Sequence, residues 1–372
     1  MYPRKQQGGI MDTNTLNLKF KLEKIELEIL KKLIGVIEEP ESITESIEVQ
    51  TTSGLVRVAS NNKIDLKIPW INETSLLKNN TLKVTVSYPK FFNNDNGYII
   101  KNQSEIKTVQ SELKRILEGI FLIKIDEKNS IHSRIDYPIN LEIKDQFKDW
   151  GKIFVLIAKA TQFNEETHIY YGVDQNKKIY TKGAKIELSE SLEVNFYNQR
   201  ENLILKKKRD IKKEILRIET KLKRDWIIEQ YLGTNKLKEV TFKAIKEVSK
   251  EIVKANILDK IPIELARQKE YLKGELIKHL EGSQRQGQNK IGVFVLKYQS
   301  QLIDFEMIEK IILELETPQR TKTKYIEQAK QELLNLEEIS QERYFNNFKR
   351  IDFLFYKILG REYQFFNIKS KI

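Results

Sequence analysis

Leu192-Glu-Val-Asn-Phe-Tyr-Asn-Gln-Arg-Glu201 and, beyond a lysine-rich connector, Leu216-Arg-Ile-Glu-Thr-Lys-Leu-Lys-Arg224 form the stretch that decides the architecture of this chain. Both segments carry polar residues at every second position. Side chains alternate faces along a strand, so Glu193, Asn195 and Tyr197 project to one side and Phe196 to the other. Arg217, Glu219 and Lys221 share one face by the same rule, opposite the apolar Leu216, Ile218 and Leu222. The preceding Tyr180-Thr-Lys-Gly-Ala-Lys185 also reads as strand. A tyrosine, carboxylates and arginines along one sheet face suggest phosphate chemistry.

Working outward, the 372 residues allow one large domain or two ordinary ones, and 40% hydrophobic content is enough for a packed core. The net charge of +12 is clustered, which favours a polyanionic partner through phosphate neutralisation and counterion release. A lysine-rich solvated surface is the plainer reading. The chain has no cysteine, which excludes disulfides and thiolate metal sites. No apolar run approaches the roughly 18 residues that span a bilayer. The first residues lack the apolar core of a signal peptide, so a cytoplasmic protein without membrane contact is expected.

Strict alternation predicts strands at 16–22, 55–58, 64–68 and 82–88, and helical spacing predicts a helix at 25–34. Residues 90–97 read as an asparagine-rich loop. Val109, Leu113, Ile116 and Ile120 fall on one face of a helix over 106–120, followed by a strand at 121–125. Ser133-Arg-Ile-Asp136 places Arg134 and Asp136 on one face of a further strand, with Pro138 at its edge or a bend. A helix at 147–160 and a strand at 167–173 lead into the central stretch. After Arg224 the pattern turns helical. Val240, Ala244, Val248 and Ile252 form one series. Ile326, Ala329, Leu333 and Leu336 form another. A third runs Tyr344, Phe348, Ile351, Phe355 and Ile358, ending at Gly360 as a C′ residue. The fold class is therefore α+β: a sheet domain over 1–225 and a mainly helical region over 226–372.

The sequence contains no Walker-type phosphate loop, no dinucleotide glycine fingerprint and no His-Glu-x-x-His. The three histidines, His132, His168 and His279, lack metal-motif spacing, although His132 and His168 could meet across a sheet. Taken singly, Arg134/Asp136 is an ordinary ion pair and Tyr197 an ordinary sheet tyrosine. Their order carries more. Ser133-Arg-Ile-Asp136, then Phe196-Tyr197-Asn-Gln-Arg-Glu201, then Leu216-Arg-Ile-Glu219-Thr-Lys-Leu-Lys223 resembles the rolling-circle replication initiators of filamentous phages and related plasmids. The gene-II-type phage/plasmid replication protein is the particular likeness, over roughly residues 80 to 235. The histidine-hydrophobe-histidine metal motif of many such nickases is missing, and Asn140 stands where the plasmid branch often has a second aspartate.

The resemblance implies an antiparallel-sheet nicking domain that cuts and rejoins an origin strand through a phosphotyrosine. Tyr197 is the matching nucleophile and Tyr180 the alternative. The residue types suit that chemistry: tyrosine is a poor nucleophile at its usual pKa, so the phosphate must be polarised. Mg²⁺ or Mn²⁺ held by Asp136 and Glu219, with Glu201 second in line, would do so. Arg134, Arg217 and Lys221 would neutralise phosphate charge, and Lys206, Lys207, Lys208, Lys223 and Arg224 would track the strand. Phe163, Tyr170, Tyr171 and Trp226 could stack unpaired bases, though core positions suit most of them better. Implied partners are single- and double-stranded origin DNA, with a host helicase and polymerase. The alternatives are a non-catalytic origin-binding or copy-control protein and a partner-binding protein with a lysine-rich surface.

Overall fold

The computed structural model describes residues 13–22, 47–51, 54–58, 63–66, 68–77, 80–93, 100–121, 123–144, 147–161, 166–173, 179–207, 213–282, 289–299, 304–336 and 347–360. The expected helix at 25–34 and most of the 90–97 loop lie outside them. The fold is α+β. Alternating sequence becomes strand where one face can be buried. In β1 (Thr13–Leu22), Leu16, Leu18 and Phe20 are buried while Asn17 and Lys19 are half-exposed. β2 (Ile47–Thr51), β3 (Gly54–Val58), β4 (Lys63–Asp65) and β5 (Ile71–Leu77) precede β6 (Thr81–Ser87), whose Leu82, Val84 and Val86 are buried. β2 and β5 were not anticipated, and the expected strand at 64–68 is the shorter β4.

α1 (Tyr88–Asn93) replaces the start of the expected loop. Pro89 explains it, since its fixed φ suits the first turn of a helix and its missing N–H costs nothing there. α2 (Gln103–Phe121) buries Ile106, Val109, Leu113, Leu117 and Phe121. The buried stripe thus excludes Ile116 and Ile120, which are half-buried, and Phe121 closes the helix instead of opening a strand. β7 (Ile123–Ile143) merges two expected strands into one of 21 residues. Its described register with β1 ends at Asn14↔Ile135, so Pro138 lies beyond that pairing and removes no donor from it.

A 3-10 turn (Phe147–Trp150) and α3 (Gly151–Thr161) follow, then β8 (Glu166–Val173), β9 (Ile179–Ser189) and β10 (Leu192–Asn198). α4 (Gln199–Lys207) leads to β11 (Glu214–Leu222). The strands form one eleven-stranded sheet in the order β2-β3-β4-β5-β6-β1-β7-β11-β10-β9-β8. Every pair from β2 through β6 to β1, and β1 with β7, is antiparallel.

Beyond β11 the described residues are mainly helical: α5 (Asp225–Leu232), α6 (Phe242–Asn256), α7 (Ile261–Gly282), α8 (Lys290–Tyr298), α9 (Phe305–Leu313), α10 (Gln319–Leu336) and α11 (Asn347–Leu359), with Lys236 bridging to Ile131 between the first two. Ala329 and Leu333 are buried on α10, and Phe348, Ile351, Phe355 and Ile358 on α11, as their spacing predicts. Gly360 takes φ 72° and donates its N–H to the Tyr356 carbonyl, the expected C′ cap. None of the described helices is long and apolar enough to cross a membrane.

The chain forms two compact units, each built from several stretches of sequence. The first comprises Met1–Glu142, Glu187–Asn195 and Gln199–Glu251, and the second Ile143–Ile186, Phe196–Asn198 and Ile252–Ile372. The first holds β1 to β6, α2, α5 and β11. In the second, α3 packs against α7, α11 and β8, and α8 and α9 pack on α10.

Candidate phosphate-binding face

Of the charged residues singled out from the sequence, three neighbouring strands, β7, β11 and β10, bring together Arg134, Asp136, Arg217, Glu219 and Lys221, all within the first unit. Arg134 grips Asp136 with two parallel hydrogen bonds, Nε to Oδ1 and Nη2 to Oδ2, both 2.8 Å. The spacing of two residues on β7 permits this, because both side chains leave the same face. On β11, Lys221 Nζ lies 2.9 Å from Glu193 Oε1 of β10 and 3.4 Å from Glu219 Oε2. Lys223 reaches Glu193 Oε2 at 2.5 Å, and Asn195 Nδ2 donates to Glu193 Oε1 at 2.6 Å. Arg217 is buried, and its Nε donates to Asn140 Oδ1 at 2.9 Å.

These groups are layered. The carboxylate side chains of Asp136, Glu193 and Glu219 are 4%, 5% and 9% exposed, whereas Arg134, Lys221 and Lys223 are 39%, 18% and 28% exposed. Carboxylates form the floor, and cations stand above them toward solvent. Burial pushes the Asp136 carboxyl up to about 6, with Arg134 pulling it back and nearby Glu219 adding to the rise. Burial would also raise Glu193, but hydrogen bonds from Lys223 and Lys221 outweigh it and hold the group at about 2. Burial opposes the charge on Lys221, yet Glu219 and Glu193 raise its pKa above the ordinary value. Arg134 feels Glu219 and Glu193 as well as Asp136. Arg134, Asp136, Glu219 and Lys221 therefore share one electrostatic environment.

Tyr197, further along β10, is half-buried and belongs to the second unit. The strand ends at Asn198. Gln199 begins α4, so Arg200 and Glu201 sit in a helix and not on an extended strand. Arg200 pairs with Glu214 at 2.7 Å. Tyr180 lies on β9 and Lys206 and Lys207 in the last turn of α4, with side chains outside the described residues, as is all of Lys208. Arg224 is exposed just before α5. Gly183 lets β9 approach β10 closely: a Cβ there would stand 2.0 Å from the Phe196 carbonyl oxygen. Tyr170, Tyr171 and Trp226 are 46%, 63% and 54% exposed, so the core reading fails for all three; Phe163 lies outside the described residues.

The donor set in this conformation does not suit a divalent cation. Both Asp136 oxygens are engaged by Arg134, and an ammonium stands beside Glu219. Among the described residues, no group of three or more His, Asp or Glu side chains could hold a metal ion. His132 is buried against Asn14, with Nδ1 2.8 Å from Asn14 Nδ2, and burial lowers its pKa to about 4. His168 is exposed on β8, the edge strand, and His279 Nε2 lies 2.9 Å from the Lys290 carbonyl.

No family model matches this chain, and no curated protein is significantly similar to it. One solved structure, the rolling circle replication initiator protein from Geobacillus stearothermophilus, aligns at TM-score 0.29. Identity is 14%, over 60% of this chain and 80% of that one. So slight a likeness carries no argument. The face itself contains two residues the sequence reading left without a role. Glu193 receives both lysines, and Asn140 receives Arg217. Period-two placement opposite Lys221 and Lys223 was the available signal for Glu193. Asn140 shares the Arg134/Asp136 face of β7 by alternation, but its partner arrives from a strand 77 residues away.

Proposed function

We propose that this chain initiates rolling-circle DNA replication by nicking and rejoining one origin strand, with Tyr197 as the nucleophile. The observation that supports it most is the row of half-buried Arg134, Lys221 and Lys223 over buried carboxylates on one sheet face. In this reading the Tyr197 oxygen attacks a phosphodiester phosphorus and the bond to the 3′ oxygen breaks. One proton leaves the phenol and one is taken up by the departing 3′ oxygen. A phosphotyrosine and a free 3′ hydroxyl result, and reversal of the step rejoins the strand. Arg134, Lys221 and Lys223 offset the charge that builds on the phosphoryl oxygens.

The resemblance also carries Mg²⁺ or Mn²⁺ at Asp136 and Glu219, with Glu201. Those first two carboxylates are engaged by Arg134 and Lys221, so the step uses only the chain's own cations. The partners in this reading are single- and double-stranded origin DNA, with a host helicase and polymerase acting after the nick. The Arg134–Asp136 clamp gives a second reading some support, a non-catalytic origin-binding or copy-control protein.

The test is a labelled single-stranded origin oligonucleotide, with and without Mg²⁺ or Mn²⁺, resolved on a denaturing gel. Tyr197→Phe should abolish the covalent adduct and leave binding nearly intact, since only the hydroxyl is lost. Tyr180→Phe should retain the adduct. An adduct that survives Tyr197→Phe and disappears with Tyr180→Phe moves the nucleophile to Tyr180. No adduct from the unmutated protein on any sequence of its replicon supports the binding-only reading.

A further inference from the structure

We infer that in the DNA-free protein the β7–β11–β10 face is an anion-binding strip that takes a phosphodiester backbone and excludes divalent cations. The proposal rests on the reading above only for the identity of the polymer as single-stranded DNA.

The layering carries the argument. An ion arriving from solvent meets the Arg134 guanidinium and the Lys221 and Lys223 ammoniums first, because these are 39%, 18% and 28% exposed. The carboxylates that would attract a cation are 4%, 5% and 9% exposed and already hydrogen-bonded or ion-paired. Three cationic side chains stand over three carboxylates, each of which already has a cation against it. A divalent cation meets guanidinium and ammonium groups first and finds none of these carboxylates without a cation already against it. A phosphate is attracted, and it finds donors still available. Arg134 uses Nε and Nη2 on Asp136, and a guanidinium carries further N–H groups in a fixed fork suited to phosphate. Lys221 and Lys223 are two residues apart, about 7 Å along an extended backbone. Their ammoniums nevertheless converge on the two oxygens of Glu193, so together they present one paired site to a phosphate.

The buried carboxylates then act as positioning residues. Asp136 fixes the plane of the Arg134 fork, and Glu193 holds both lysine side chains in place. Held cations lose less side-chain freedom on binding than free ones, and the ligand gains accordingly.

Two measurements test this on the full chain. The first is binding of a fluorescent oligo-dT strand across a salt series. Each phosphate neutralised contributes about 0.7 to the slope of log K against log salt. Lys223→Gln, and the paired change Arg134→Gln with Asp136→Asn, which avoids a stranded buried charge, should each lower that slope by about 0.7. Thermal melts of the variants establish that they fold. The second is electron paramagnetic resonance of Mn²⁺, whose sharp free-ion signal should be undiminished by the DNA-free protein. Unchanged slopes in folded variants would overturn the inference, as would one Mn²⁺ bound per chain and lost in Asp136→Asn. Adduct formation is a separate readout. Adduct with unchanged slopes removes this inference and keeps the nicking reading, while lowered slopes without adduct do the reverse.

Discussion

Gly183→Ala tests the local geometry most directly. Gly183 lies on β9, and a methyl group built there would stand 2.0 Å from the Phe196 carbonyl oxygen, 3.1 Å from its carbon and 3.3 Å from Tyr197 Cα. The obstructing atoms are backbone, so no side chain can swing aside and the two strands must part. Forcing a methyl group into such a contact costs about 1–3 kcal/mol. Stiffening the unfolded chain returns about 0.4–1 kcal/mol, which is smaller. A net loss of about 1 kcal/mol corresponds to a melting point lower by about 2–4 °C for a domain of about 150–250 residues. The same displacement moves Tyr197. On the proposed mechanism, a shift on the order of 1 Å at the nucleophile lowers adduct formation by about 100-fold while DNA binding holds. Thermal unfolding followed by circular dichroism gives the first quantity and the denaturing gel the second. Gly274→Ala serves as the control, since nothing stands within 4 Å of its added methyl group in α7. That change should stabilise by about 0.5–1 kcal/mol. A Gly183→Ala protein that melts at or above the unmutated one would refute the close approach of β9 and β10.

Two further outcomes follow from buried polar groups. Asp304 caps two helices at once: one carboxylate oxygen accepts from the Glu306 N–H at 3.2 Å, the other from the Asn347 and Phe348 N–H groups at 2.7 and 3.1 Å. Asp304→Ala should cost about 2–3 kcal/mol in denaturant titration, and a loss below about 0.5 kcal/mol would mean the caps are not formed. His132 is neutral in the fold because burial depresses its pKa to about 4, against 6.5 as the ordinary value. As pH falls from about 6.5 to 4, the unfolded chain takes up a proton that the folded chain does not, so this contribution is lost on acidification. Asp136 and Asp304, both pushed up to about 6 by burial, act in the opposite direction between about 4 and 6. The difference between the unmutated protein and His132→Gln isolates the histidine. That advantage should shrink by up to about 3 kcal/mol from pH 7 to pH 4, and a constant difference would contradict a buried neutral imidazole.

Alternation of polar and apolar residues determined β1, β3, β6, β8, β9, β10 and β11, because a period of two can bury a face only as a strand. Helical spacing likewise determined α2, α3, α10 and α11, and Gly360 marked its own cap. The same local signals failed where a neighbour decides. Ile47-Glu-Val-Gln-Thr51 does alternate and so carries the signal for β2, whereas residues 71–77 do not alternate, and β5 is a strand because β4 and β6 pair with it. Arg200 and Glu201 extended the strand pattern on paper, but β10 stops at Asn198 and the chain turns into α4.

At the candidate site, the sequence by itself supplied the residue types and the face each one takes: Arg134 with Asp136, Arg217 with Glu219 and Lys221, and Glu193 with Tyr197. Only the tertiary structure decided which charges meet. The sheet order places β11 between β7 and β10. That order gives Glu193 to Lys221 and Lys223, and Arg217 to Asn140. Burial then sets the carboxylates below and the cations above. Pairing across strands depends on order and register, which involve residues 28 and 77 positions apart, and no period read along one strand contains that information.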